Sequence, residues 1–243
     1  MNADVLTTRV DGGIAVITLG SAKQIYFNAE MGDMLTAALE EFAGDANVRV
    51  VVVTGGAPGY FNRHFSIPAL LELAEAVRAS GRQWADNATY HGGFFDRAMA
   101  LCETMPKPVI AAISGTALAG AFEFALACDL RIAEDGDYLI GFPETELGLV
   151  PGAGGTQRLP RVVGMPVALM HILMGKPINP REAERKGFVA RDSCREGSRP
   201  GNGGRAPPGD ASAGSGRLRQ TPRSECHRDA FSRWAGARTQ SLL

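Results

Sequence analysis

The sequence predicts an α/β fold built on parallel strands, and two stretches predict it. Residues 48–54 read VRVVVVT, a strand too apolar for a sheet edge, and a helical pattern separates it from an earlier apolar strand. A strand–helix–strand order of this kind needs a crossover and gives parallel pairing. Further on, residues 108–114 are a run of β-formers ended by Gly115. A small-residue turn, TALAGA, and an unbroken apolar stretch, FEFALACDL, follow. That pattern reads as buried strand, turn and helix, with the first helical turn near residues 119–122.

The other elements are read in chain order. Residues 5–9 and 14–19 flank Asp11-Gly12-Gly13, a hairpin whose turn needs positive φ. Residues 21–27 form a loop. Asn28 is placed to cap a helix with apolar positions at Met31, Met34, Leu35, Leu39 and Phe42. After the 48–54 strand comes a loop, GGAPGYFNRHFS. A helical region then runs over residues 68–105, interrupted near Asn87 and Gly92-Gly93. Residues 130–133 and 138–142 are short strands. PGAGGTQRLPRVVG is a Gly-rich turn entering a short helix, and helices at 166–174 and 180–186 close the readable part.

The 243 residues are 45% hydrophobic and 21% charged, which allows one large domain or one domain with an appendage. A net charge of −1 gives no global pull toward nucleic acid or an acidic membrane. No apolar run reaches the length of a membrane span. The first residues, MNADVLTTRVDGG, lack a basic region followed by an apolar core, so no secretory signal is read and the expected compartment is the cytoplasm. Cys102 and Cys128 fall in apolar helical patterns as buried thiols. No Cys/His spacing supports a metal site.

These averages conceal a break near residue 190. Residues 191–243 hold ten Arg and no Lys, with many Gly, Pro and Ser and almost no apolar periodicity. The tail carries +5, which leaves −6 on the first 190 residues. It reads either as a disordered basic tail or as an out-of-frame translation of a GC-rich gene. The abrupt change after GFVAR favours the second. The chain accordingly divides into a core, residues 1–190, and an aberrant Arg/Gly/Pro-rich tail, residues 191–243, expected to be disordered.

Chemistry concentrates in the central stretch. Free backbone N–H groups and the positive end of a helix dipole converge at residues 119–122, and Gly120 permits close approach. Glu123 lies one turn in, and a carboxylate within an apolar helix is costly to bury without a task or a partner. A second acid, Glu144, follows a strand in a Pro-flanked loop. Together they suggest an N–H donor for an oxyanion and two carboxylates for proton transfer.

Two long motifs, KPVIAAISGTALAGAFEFALACDLRIA and PETELGLVPGAGGTQRLPRVVG, occur in the order found in the enoyl-CoA hydratase/isomerase (crotonase) family, which residues 5–190 resemble. NAEM at Asn28 and the strand VVVVTGG fit as well. The resemblance implies a crotonase-like spiral of repeated β-β-α units and a coenzyme A thioester substrate. It implies no metal or redox cofactor, coenzyme A being part of the substrate, and a trimer or dimer of trimers. It also implies fatty acid β-oxidation chemistry. Gly120 resembles the family's oxyanion-hole residue in a GGGxE-type motif that here reads AGAFE, with Ala119 and Ala121 in place of two glycines. Glu123 and Glu144 match the two catalytic acids. The second oxyanion N–H falls to Phe65 in FNRHFS, where the family pattern is written FxAGAD and His64 stands at a glycine position. His64, Ala119, Phe27 and Gly152 are the candidate substrate-binding residues.

The expected activity is that of an enoyl-CoA hydratase, adding water to the double bond of a 2-enoyl-CoA. Isomerisation, other acyl-CoA lyase chemistry, or a catalytically weak CoA- or RNA-binding role are the alternatives. Two acids favour hydration; the His64 segment and the tail favour a weak member. By the same resemblance the tail replaces a C-terminal helical region. Blander readings compete at several positions. Glu146 reads as a solvated loop acid, His64 as a loop or packing histidine. Gly152 to Gly155 lack a following Lys-Ser/Thr, which favours a tight turn over a phosphate loop.

Overall fold

The hairpin forms as its turn residues require. Strands β1 (Leu6–Asp11) and β2 (Ile14–Leu19) pair antiparallel, with Leu6 opposite Leu19, around Gly12 and Gly13 at φ 56° and 86°. Helix α1 (Ala29–Gly44) starts where Asn28 accepts the Met31 N–H at 2.9 Å. It returns the chain to β3 (Val50–Gly55), which pairs parallel to β2 with Val16 opposite Val52. This computed structural model describes residues 2–81 and 95–191, within a compact unit spanning Met1–Arg191. The expected break near Asn87 and Gly92-Gly93, and all readings of the tail beyond Arg191, lie outside the described residues.

From β3 onward the chain repeats one move: a strand in a large sheet, a strand in a small sheet, then a helix. The first unit is β3, β4 (Tyr60–Asn62) and α2 (Ile67–Ala79), followed by α3 (Asp96–Thr104). The second is β5 (Val109–Ile113), β6 (Thr116–Leu118) and α4 (Gly120–Ala127). The third is β7 (Leu130–Ala133), β8 (Ile140–Gly141) and a 3-10 turn, Glu144–Leu147. Helices α5 (Gly155–Val163), α6 (Met165–Met174) and α7 (Pro180–Arg185) follow, and β9 (Ala190–Arg191) returns to the large sheet. The large sheet has the order β1-β2-β3-β5-β7-β9, parallel from β2 onward; the small one is β4-β6-β8, all parallel.

The small sheet is where the sequence reading falls short. Residues 116–121 were expected to be a turn and 60–62 a loop; both contain strands. A three-residue strand is too short to display alternation, and only its pairing defines it. The expected 138–142 strand shortens to Ile140–Gly141, the two residues that pair with Ala117 and Leu118 of β6. Two glycines sit where the chain passes from one sheet to the other. A Cβ on Gly55 would lie 1.9 Å from the Tyr60 carbonyl oxygen, and one on Gly115 would lie 2.2 Å from the Gly59 carbonyl carbon.

β5 is buried at every residue, and α4 from Ala121 to Ala127. Cys102 and Cys128 are buried free thiols, as expected. In contrast, α6 leaves Met165, Leu169, Met170, Leu173 and Met174 open, beside exposed Leu147 and Val150. Among the described residues no helix is long and apolar enough to cross a membrane.

Candidate active site

The second β-β-α unit delivers the first half of the site. Within β6 and just beyond it, the Leu118 N–H donates to the Arg63 carbonyl at 3.0 Å and the Ala119 N–H to the Gly141 carbonyl at 2.9 Å. The small sheet thus fixes both the strand and the entry to α4. Ala119 turns the chain at φ 51°, ψ −127°, a conformation glycine adopts freely and alanine only under strain. Its carbonyl then accepts from the Phe122 and Glu123 N–H groups, both at 2.9 Å, and the helix starts. Gly120 is the first helical residue, where the N–H has no intrahelical acceptor.

Phe65 comes to the same place from the first unit. A Cβ built on Gly120 would lie 3.9 Å from the Phe65 Cβ. Phe65 and Phe27 form a parallel bridge, in which the Phe27 N–H donates to the His64 carbonyl at 2.9 Å and the Ser66 N–H to the Phe27 carbonyl at 2.8 Å. The Phe27 ring is fully buried between Phe95, at 4.2 Å between centroids, and Phe124, at 6.1 Å. The Phe27 ring packs in the core, and its backbone pairs with the Phe65 segment beside Gly120. His64 is half-buried, with Nδ1 at 2.6 Å from the Phe65 carbonyl oxygen and its ring tilted against Tyr26.

The two acids are both buried, in different surroundings. Glu123 is 3% exposed, and its Oε1 accepts the Gly155 N–H at 2.7 Å and the Ala153 N–H at 2.8 Å. Burial raises its pKa; those two N–H groups and the Arg158 charge oppose the rise. Glu144 opens the 3-10 turn and is 8% exposed. Among the described residues its buried Oε2 has no hydrogen-bond partner. Burial pushes its pKa up to about 7, and the Glu123 charge adds to the rise. Burial is the largest cause in both, and the donors around Glu123 oppose a rise that at Glu144 the Glu123 charge reinforces.

The Gly-rich turn supplies what the sequence reading missed. It was read as a tight turn, and it is one, with Gly154 at φ 93°. Its N–H groups also converge, as at any helix N-terminus, and here they hold the Glu123 carboxylate. Gly155 is packed so closely that a Cβ would lie 2.5 Å from Phe142 Cζ and 3.0 Å from Glu123 Oε1. Arg158, one turn into α5, donates from NH1 to the Ala153 carbonyl at 2.7 Å and pairs through Nε with Glu103 at 2.7 Å. Glycines directly before a helix, with an acid elsewhere in search of donors, were the available signal. Gly152, the glycine named beforehand, is exposed, with open space where a side chain would stand. Glu146 is exposed, as the solvated reading had it.

Comparison with known proteins fits this layout. The sequence profile of the enoyl-CoA hydratase/isomerase family matches residues 9–196. YngF of Bacillus subtilis, named provisionally as an enoyl-CoA hydratase/isomerase, is 37% identical over 190 residues, covering 78% of this chain and 69% of that protein. The fatty acid oxidation complex subunit alpha of Shewanella baltica is 36% identical over 185 residues; the match covers 75% of this chain but only 25% of that much longer protein. Among solved structures, the enoyl-CoA hydratase of Bacillus anthracis superposes with a TM-score of 0.66 at 31% identity, over 76% of this chain and 69% of that one. DspI of Pseudomonas aeruginosa gives 0.66 at 30%, over 78% and 69%. The chain belongs to the enoyl-CoA hydratase/isomerase family and has its crotonase fold.

Proposed function

We propose that the chain hydrates a 2-enoyl-CoA thioester. The thioester carbonyl lies against the N–H groups of Gly120 and Phe65, which draw charge onto its oxygen and make the β-carbon electrophilic. A well-placed N–H of this kind is worth about 3 kcal/mol in the transition state. Glu123 takes a proton from a water whose oxygen bonds the β-carbon. Glu144 gives its proton to the α-carbon, and the proton left on Glu123 restores it. The sum is addition of H and OH across the double bond, with no other reactant.

The supporting observation is the contrast between the two acids. Glu123 has two backbone donors and a nearby guanidinium, which favour the carboxylate. Among the described residues the buried Oε2 of Glu144 has no hydrogen-bond partner, and its pKa is pushed up to about 7, which favours the neutral acid. A pKa of about 7 keeps a proton available on Glu144 near neutral pH, and the donors around Glu123 suit it to the base's role.

The test is incubation of the purified chain with crotonyl-CoA in ¹⁸O-labelled water. Hydration consumes the enoyl absorbance and places ¹⁸O on the β-carbon. Migration of the double bond without ¹⁸O would mean isomerisation, and binding of the thioester with no turnover would mean the weak member of the fold.

A further inference from the structure

We infer that Arg158 is a positioning residue for the proposed base: its guanidinium, held against the glycine turn, favours the carboxylate form of Glu123. The inference rests on the hydratase reading for its consequence in turnover; the geometry behind it does not. Arg158 lies one turn into α5, where its N–H donates to the Gly154 carbonyl at 2.9 Å. Helical side chains lean toward the N-terminus, and this one folds back over the turn that opens its own helix. A Cβ on Gly154 would lie 2.2 Å from Arg158 Nη1, and one on Gly155 would lie 3.0 Å from Glu123 Oε1. Guanidinium and carboxylate therefore pack against neighbouring glycines of one turn. Ala153 links them further: its carbonyl accepts from Nη1 at 2.7 Å, and its N–H donates to Glu123 Oε1 at 2.8 Å.

The place is an unusual one for a cation. The N-terminus of α5 is the positive end of the helix dipole, so a guanidinium there needs other groups to hold it. Helix α3 supplies them. Glu103 pairs with Nε at 2.7 Å, and Met99, one turn earlier on the same face, meets Nη1 through its sulfur at 3.7 Å. The arginine side chain is 19% exposed and that of Glu103 46%. The negative partner is thus the better screened by water, and the positive end acts inward with less opposition. Other charges facing Glu123 are acidic. Asp96, in the first turn of α3, raises its pKa, and Glu144 meets the Glu123 charge in the same unfavourable sense. Arg158 is the counterweight: its charge lowers the pKa of Glu123 against the rise from burial and from Asp96.

The test compares two substitutions in the purified chain. Lys keeps the charge without the guanidinium's fork; Met keeps an apolar stem without charge. In Arg158→Met, Glu123 should hold its proton to higher pH. The acidic limb of kcat/KM for crotonyl-CoA should then move to higher pH, with a several-fold larger loss at about pH 5 than at about pH 7. Arg158→Lys should keep the limb near that of the parent. The second readout needs no turnover: NMR titration of the carboxyl carbons in ¹³C-glutamate-labelled protein, with Glu123→Gln identifying the Glu123 signal. Its midpoint should rise in Arg158→Met and stay in Arg158→Lys. If the Met variant does not fold, Arg158→Gln is the neutral replacement and carries the same expectation. An unmoved midpoint in the neutral variant, or equal midpoints in the Lys and neutral variants, overturns the role of Arg158. So does a loss of rate equal at every pH, which would mean that the residue only ties α3 to α5. A midpoint that moves as stated, in a chain whose parent leaves crotonyl-CoA unhydrated, overturns the hydratase reading and leaves the hold on Glu123 standing.

Discussion

Glu123 and Glu144 are two buried carboxyl groups treated in opposite ways. Glu123 stands inside a regular helix, and a glycine turn brings two N–H groups to one of its oxygens. Glu144 opens a single 3-10 turn, and among the described residues its buried Oε2 has no hydrogen-bond partner. Burial raises the pKa of both, so burial alone does not distinguish them; the donors around Glu123 do, by opposing the rise.

The largest way to break the contrast is to remove either carboxyl group. Glu123→Gln and Glu144→Gln should each lower kcat for crotonyl-CoA by about 10²–10⁴ with thioester affinity largely kept. Full turnover in both variants would remove the assignment. Next comes the donor turn. Gly155→Ala puts a methyl against Phe142 and Glu123, so the turn must shift and its N–H must leave the carboxylate. We expect a loss of at least about tenfold in kcat, together with about 1–3 kcal/mol of stability from overpacking. An unchanged Tm and kcat would show that the turn has slack.

The pH profile sharpens the contrast from the other side. Glu144 donates only while protonated, so kcat should fall as pH rises through about 7. A plateau continuing to pH 9 would rule out this group as the acid. The same shift has a signature in stability. The folded pKa of Glu144 is raised, so its favourable contribution is complete below the unfolded value of 4.5 and is lost as pH rises through about 7. Glu144→Gln should therefore match the parent near pH 4 and exceed it above pH 7. Partial solvation limits the gain to about 1–2 kcal/mol. Thermal melts at the two pH values measure it. The smallest effect expected is at the entry to α4. Ala119→Gly relieves a strained φ but frees the unfolded chain, for a net gain of about 1 kcal/mol or less. A lower Tm would show that the alanine methyl is packed rather than strained.

Much of this was legible in the sequence. The large sheet is, because β5 is apolar throughout and β3 opens on four valines, so neither needs a partner to be recognised. Both acids are, because a carboxylate between Phe122 and Phe124, or after a lone proline, violates local pattern. The small sheet is not, since two- and three-residue strands carry no period. The donors to Glu123 are not either. Backbone N–H groups have no letter of their own, and only the glycines that let them converge can be seen. The burial of the Phe27 ring is not legible either, since it follows from packing against Phe95 and Phe124, which are distant in sequence.

Gly55 and Gly115 belong to successive turns of the spiral, and both press on the same short piece of chain, Gly59 to Phe61. Neither touches the acids. Yet no larger residue fits at either position without moving backbone, because the obstructing atoms are carbonyls and α-carbons rather than side chains that could rotate aside. In a library of all single substitutions sorted only for soluble expression, both positions should tolerate nothing but glycine. Glu144, whose burial raises its pKa to about 7, should accept neutral replacements more freely. Sorting the same library for turnover should reverse the order of tolerance between Glu144 and its neighbours but leave the two glycines where they were. The crossings between sheets are thus intolerant for reasons of assembly, and invariance at a position in this chain is not by itself a mark of catalysis.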